Sequence, residues 1–305
     1  MAGWPCRLLA LGVLLGPWAL GEPLLLAREV RLLWAGEWLR AGLEALAEAP
    51  TEGTLAHLFQ AHALWAGSLG AHPELLSQVA ALLAEAKRLS EEEPEGLRAL
   101  AQRASPLLSR AQAQLVPNPT PGLKAGLLVQ MALGVAEGYR QGFLLNKEAY
   151  RLGFFLLWHL QIHLEELRPH LPSPVQERVA ENLAALRALY PASAPPSIFR
   201  HPDEAKEAAM DLLFALEAGL GLDLWPRDPL ATLERLQSLV QEACQSPDPG
   251  LAQEAWEGVK SLAFYLIPSL AFGQGEALAR ALETRPPACQ PTLVLLQEAA
   301  AGPWE

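Results

Sequence analysis

The chain has 305 residues, of which 51% are hydrophobic and 19% are charged, so it can bury a substantial core. β-Branched residues are scarce, with 3 Ile, 6 Thr and 11 Val, and this composition argues against a sheet and predicts an all-α protein. The formal net charge of −11 argues against nucleic acid or an anionic lipid surface as a partner, because both attract basic proteins.

The first 21 residues have the pattern of a secretory signal peptide. Arg7 is the one charged residue there, and an apolar stretch follows it. The small residues Ala19 and Gly21 are typical of a signal-peptidase cleavage site. The apolar stretch is short for a membrane span. We therefore expect a periplasmic or secreted protein, whose membrane contact would be limited to this segment if it stays uncleaved.

Cleavage would leave two cysteines, Cys244 and Cys289, because Cys6 lies inside the leader. A cysteine pair in an oxidising compartment predicts a disulfide. Neither cysteine has a second Cys or a His nearby at ligand spacing, which argues against a metal role for the pair.

Helical periodicity interrupted by prolines predicts twelve helices in groups of four. Their approximate ranges are 24–48, 54–70, 73–89 and 94–115; 123–145, 147–168, 174–190 and 203–220; and 229–244, 250–267, 270–284 and 291–301. Linkers at 117–121 and 225–229 separate unit one (22–121), unit two (122–224) and a shorter unit three (225–305). We expect these tandem four-helix units to stack into an elongated helical array with no sheet.

The sequence of unit two resembles that of unit one at an offset of 100 positions. The motif formed by Glu37, Arg40 and Gly42 recurs without a gap at 137–142, which favours internal duplication. Each Glu and Arg lie one helical turn apart, so an intrahelical ion pair or a tie to a neighbouring helix is the simplest interpretation. The alternative is a repeated charged patch on a binding face.

A polar stripe on the second helix of unit two is the candidate metal site. His159, His163 and Glu166 are spaced i, i+4 and i+7, which places them on one helix face. Two imidazoles and a carboxylate suit Zn²⁺ or iron. Two alternatives stay open: a solvent-facing stripe with a His163–Glu166 pair, or histidines hydrogen-bonded inside the core. The equivalent positions of unit one (Phe59, Ala63 and Ala66) carry no metal ligand.

The stretch 133–155, with Tyr139, Gly142 and Tyr150, resembles one known family. It is similar to the extracytoplasmic helical segment that precedes the membrane domain of bacterial high-affinity iron permeases. The Arg-Glu-Gly-x-x-Glu membrane helices of that family are missing here, which excludes iron transport itself. The resemblance implies an accessory role in metal handling.

No nucleophile elbow, HExxH helix, dinucleotide fingerprint or phosphate loop occurs in the chain. We therefore expect an exported, non-catalytic helical interaction or binding protein of the cell envelope, with another envelope or membrane protein as its partner. The alternative is a periplasmic metal-binding protein that uses the His159, His163 and Glu166 face. Zn or Fe is the cofactor that this alternative would require.

Overall fold

The computed structural model describes residues 24–267, 270, 272–284 and 288–301, and the predicted leader lies outside these ranges. Within them the chain forms thirteen α-helices and no β-strand, which confirms the all-α prediction. None of the helices described is long and apolar enough to cross a membrane.

The helices begin and end close to the predicted positions. Unit one contains α1 (Arg28–Glu48), α2 (Glu52–Ala63), α3 (Ala66–Leu69), α4 (Pro73–Glu92) and α5 (Leu97–Leu115). Unit two contains α6 (Pro121–Phe143), α7 (Lys147–Leu167), α8 (Ser173–Leu189) and α9 (Asp203–Leu220). Unit three contains α10 (Pro229–Gln245), α11 (Pro249–Leu266), α12 (Phe272–Glu283) and α13 (Cys289–Ala301). Thr51, Thr120 and Asn146 each accept a hydrogen bond from a backbone N–H in the following first turn, which fixes these helix starts.

The single helix predicted over 54–70 is instead two helices. A turn at Leu64 and Trp65 separates α2 from α3. The Trp65 indole is fully buried and donates a hydrogen bond to the Leu32 carbonyl oxygen of α1 at 2.7 Å. The turn is favoured over an unbroken helix because it lets this large ring be buried while its N–H group keeps a hydrogen-bond partner.

The first helix of each unit packs in the same way within its own unit. In unit one, α1 packs against α2 and α5, and in unit two, α6 packs against α7 and α9. In addition, α1 packs against α6 and α7, so unit two lies along α1. Most of α1 is therefore buried, including the charged residue Glu37.

Unit three is joined to unit one through α11, which packs against α2 and α3. The Glu254 carboxylate accepts hydrogen bonds from the Ser68 backbone N–H at 2.6 Å and from Arg28 Nε at 2.9 Å. A methyl group at Gly67 would lie 2.7 Å from the Leu251 Cα atom, so α3 and α11 are close enough to require glycine there.

Cys244 and Cys289 stand at disulfide-bonding distance, with their Cα atoms 6.0 Å apart. They link α10 to the start of α13 inside unit three. The predicted pairing of the two cysteines is confirmed by their distance.

Candidate functional site

A buried polar cluster lies where α7 of unit two meets α1 of unit one. Its centre is the Glu37 carboxylate, whose side chain is 0% exposed. His163 Nε2 lies 3.1 Å from Glu37 Oε1, and His159 Nδ1 lies 3.3 Å from Glu37 Oε2. Arg40, one turn further along α1, forms an ion pair with the same carboxylate. Two imidazoles and one guanidinium therefore surround a single buried anion.

The cluster extends to α5 and to the end of α1. Gln112 Nε2 on α5 donates to Glu37 Oε1 at 3.1 Å and to the Leu33 carbonyl oxygen at 2.8 Å. Glu44 Oε2 lies 2.9 Å from His159 Nε2. We refer to the following six residues as the Glu37 cluster: Glu37, Arg40, Glu44, Gln112, His159 and His163.

The surroundings of each group set its charge. Burial alone would raise the pKa of Glu37, but the neighbouring His159 and His163 imidazoles and the Arg40 charge hold that pKa well below its usual range. Burial alone would lower the pKa of His159, yet the Glu37 and Glu44 carboxylates raise it to about 9. At neutral pH the cluster therefore contains an imidazolium held between two carboxylates.

The three residues predicted as metal ligands do not meet at one point. Both ring nitrogens of His159 face carboxylates of α1. Glu166 Oε2 is 3.9 Å from His163 Nδ1 and 3.3 Å from Lys124 Nζ, at the mouth of a groove of about 490 Å³. In the described part of the chain, no group of three or more His, Cys, Asp or Glu residues is arranged to hold a metal ion. The geometry matches the alternative in which the histidines form polar contacts inside the fold.

The equivalent pair in unit two has different surroundings. Arg140 Nε donates to Glu137 Oε2 at 2.7 Å and its Nη2 donates to Oε1 at 2.6 Å. Glu137 retains 38% side-chain exposure and lines a groove of about 510 Å³ formed by α6, α9, the 225–229 linker and the start of α10. Both Glu–Arg pairs are thus intrahelical ion pairs, and Arg40 also ties α1 to α5 by donating to Ser109 Oγ at 3.0 Å.

Exposed apolar side chains gather at the turn between α6 and α7. Leu145 and Ile198 are each 85% exposed, and Leu144 and Phe143 are about half exposed. The Phe143 ring lies 6.1 Å from the ring of Phe199, which brings the loop containing Ile198 beside this turn. We define the tip patch as Phe143, Leu144, Leu145 and Ile198.

The backbone of the tip patch is strained at Leu145. Its φ of 73° is in the left-handed region, which is unfavourable for a side chain of this kind. Helical periodicity alone did not identify the patch, because the predicted helix over 123–145 included Leu144 and Leu145. The signal available in the sequence was an uninterrupted Phe-Leu-Leu run directly before Asn146, a good helix-capping residue.

The tyrosines that carry the family resemblance belong to the core of unit two. Tyr139 and Tyr150 are buried with Tyr190, whose hydroxyl donates to the Val135 carbonyl oxygen at 2.6 Å. A methyl group at Gly142 would lie 2.7 Å from the Tyr150 Cβ atom, which explains the glycine as a point of close helix approach. These residues therefore have a packing role in this chain.

Comparison with protein-family models, with curated proteins and with solved structures gives no match to this chain. The resemblance to iron permease segments therefore stays a prediction, and a functional assignment has to be argued from the residues of the chain itself.

Proposed function

We propose that the chain is an exported, non-catalytic helical interaction protein whose partner is another protein of the cell envelope or its membrane. The observation that carries this proposal is the tip patch: four large apolar side chains remain exposed on one turn and its neighbouring loop. Grouped exposed apolar side chains of this kind are typical of protein-binding surfaces.

The geometry of Leu145 supports the same function. A leucine held at positive φ costs about 1–2 kcal/mol relative to an ordinary conformation, and its exposed side chain recovers nothing by packing within the described fold. Residues strained in this way are concentrated at binding and switching sites. A partner surface that covers Leu145 would bury this side chain and so offset the strain.

Two features support an envelope location. The leader pattern at residues 1–21 is that of an exported protein. The pairing of Cys244 with Cys289 suits an oxidising compartment, where disulfides persist. The resemblance to iron permease segments makes metal-transport complexes the first class of partner to examine.

The experiment is site-specific photo-crosslinking in envelope extracts of the source cells. A photoreactive residue at Leu144 should give a discrete cross-linked product, and Leu145→Glu together with Ile198→Glu should reduce its yield at least tenfold, because buried charges oppose an apolar contact. Leu230 on α10, also half exposed, supplies the control substitution Leu230→Glu, which should leave the product intact. Equal losses for both variants, or no discrete product, would contradict the proposal.

A further inference from the structure

One side of α7 carries large apolar side chains that the rest of the fold leaves uncovered. The helix packs against α1, α2, α6 and α8. Trp158 is nevertheless 58% exposed and Ile162 is 49% exposed, and Phe154, one turn before Trp158, is only partly buried. Exposed apolar side chains in one row on a helix that already has a packed inner side indicate a further contact surface.

This row is symmetric in its spacing about Trp158. Phe154 and Ile162 lie four residues before and after it, and Arg151 and Glu165 lie seven residues before and after it. Offsets of four and seven residues return to the same side of an α-helix, so the five side chains lie along one line. We define these five residues as the outer face of α7.

A second copy of α7 laid antiparallel on the first would match this spacing. With the two-fold axis at Trp158, Phe154 of each copy would lie opposite Ile162 of the other, and Arg151 opposite Glu165. Symmetric dimers need a surface that is complementary to itself in this way. The spacing of the outer face therefore meets the geometric requirement for pairing with its own copy.

The charges of the outer face are complementary in the same arrangement. Its amino-terminal end carries the partly buried Arg151, preceded one turn earlier by the exposed Lys147. Within the described part of the chain, Arg151 Nε is buried and has no hydrogen-bond partner. The carboxyl-terminal end carries Glu165, which is 59% exposed and pairs only with the similarly exposed Arg168 among the described residues. Such exposed pairs are weak, so Glu165 can also accept Arg151 of a second copy.

The other acidic residues of α7 lie beside the outer face and have their own neighbours. Glu148 lies next to Gly53 of α2, where a methyl group would come within 3.3 Å of its Cγ atom. Glu166 pairs with Lys124 of α6. Antiparallel pairing of the outer faces therefore brings a basic end against an acidic end on both sides of the axis.

We propose that the chain forms a two-fold symmetric dimer in which the outer faces of two α7 helices pack antiparallel, with Trp158 at the axis. The inference goes beyond the proposed function, because the occupant of this surface is a second copy of the chain. An unrelated protein is a poorer occupant, since the outer face already contains both members of each contact. Because the tip patch directly precedes α7, the dimer would carry its two tip patches at opposite ends of the helix pair.

Sedimentation velocity of the purified protein at increasing concentration tests for the dimer. Trp158→Glu should weaken association at least tenfold, because it places two carboxylates against each other at the axis. The matched control is Phe214→Glu on α9, which changes another aromatic side chain of unit two that is 49% exposed. The control should leave association unchanged. A wild-type protein that stays monomeric at every concentration, or equal weakening by both substitutions, would overturn the inference.

Charge reversal tests the antiparallel orientation. Arg151→Glu alone and Glu165→Arg alone each place like charges opposite one another in a dimer, so each variant should associate more weakly than the wild type. An equimolar mixture of the two should form a heterodimer, because both contacts then join opposite charges. Circular dichroism checks each fold, and Lys147→Glu supplies the reversal at an exposed position if Arg151→Glu does not fold. A mixture that stays monomeric while the wild type dimerises would overturn the inference.

Discussion

Glu37 on α1 and Glu137 on α6 occupy the same position of a repeated motif, yet their environments are opposite. Glu37 is fully buried and receives two imidazoles from α7, whereas Glu137 keeps 38% exposure and pairs with Arg140 at the edge of a groove. The difference comes from whether another helix covers the site, since the local spacing of the two Glu–Arg pairs is identical. A motif of this kind is an inter-unit contact when covered and an ordinary surface ion pair when open.

The comparison also gives the buried cluster a physical role. An ion cluster removed from water contributes little net stability, because desolvation offsets most of the attraction. It does penalise any other placement of α7 on α1, since a shift would leave buried charges unpaired. We interpret the Glu37 cluster as a device that fixes how unit two sits on unit one.

The largest expected effect is that of Glu37→Ala. It leaves His159, His163 and Arg40 near one another without their shared anion, and breaking a buried ion pair in this way costs about 3–5 kcal/mol. The same substitution at Glu137 removes a partly exposed pair worth about 0.2–1 kcal/mol. Urea unfolding followed by circular dichroism measures both. Similar losses for the two variants would show that burial does not distinguish the sites.

The second expected effect is a pH dependence of stability. The pKa of His159 is raised from 6.5 to about 9 in the folded protein, so its contribution is complete below pH 6.5 and is lost between pH 6.5 and 9. A difference of that size corresponds to about 3 kcal/mol. The lowered pKa of Glu37 acts in the opposite direction, and its contribution is lost as the pH falls below 4.5.

Urea midpoints measured from pH 4 to pH 10 test this expectation. The difference between wild type and His159→Gln isolates this residue from the other titrating groups, and it should shrink steadily above pH 6.5. A difference that stays constant between pH 6.5 and pH 9 would show that His159 does not titrate as the Glu37 and Glu44 carboxylates require.

A third comparison uses Gly53 and Gly153, which are separated by the same 100 positions as the two Glu–Arg motifs. A methyl group at Gly153 would collide with the Tyr190 hydroxyl in the core of unit two, whereas one at Gly53 would meet only the flexible Glu148 side chain at 3.3 Å. Gly153→Ala should therefore cost about 1–3 kcal/mol. Gly53→Ala should be neutral or should stabilise the protein by up to about 1 kcal/mol, because alanine favours a helix. Thermal unfolding of the two variants checks the order.

The smallest expected effect is that of added zinc. A metal ligand must be unprotonated, and the carboxylates around His159 favour its protonated form at neutral pH. We expect no stoichiometric zinc after desalting and no change in Tm, for wild type and His163→Ala alike. Stoichiometric zinc in wild type that is lost in His163→Ala would instead support the metal-binding alternative.

Most of the helices could be predicted because their signals are local. Apolar periodicity, capping residues and prolines placed the starts of α4, α7 and α9 within a residue of the observed ones. The break between α2 and α3 could not be predicted in this way. It depends on Trp65 reaching the Leu32 carbonyl oxygen of another helix, a contact that no local pattern contains.

The polar site could be predicted only in part. Helical spacing correctly placed His159 and His163 on one face, because that relation is local. Their contact with Glu37 joins residues more than 120 positions apart. One signal was present in the sequence: the positions equivalent to the two histidines are Phe59 and Ala63 in unit one. A polar stripe present at one of two corresponding positions and missing from the other indicates a contact that only one of the two helices makes.

The Glu254 contact has a consequence for the order in which the chain can fold during synthesis. The Glu254 carboxylate accepts hydrogen bonds from Arg28 at the start of α1 and from the backbone N–H of Ser68. These donors are 226 and 186 residues away in the sequence. In a chain synthesised from its amino terminus, both donors therefore remain exposed to solvent until α11 has been made. Completion of this contact between units one and three is thus a late event in folding, and a chain halted before α11 would leave both donors without the Glu254 carboxylate.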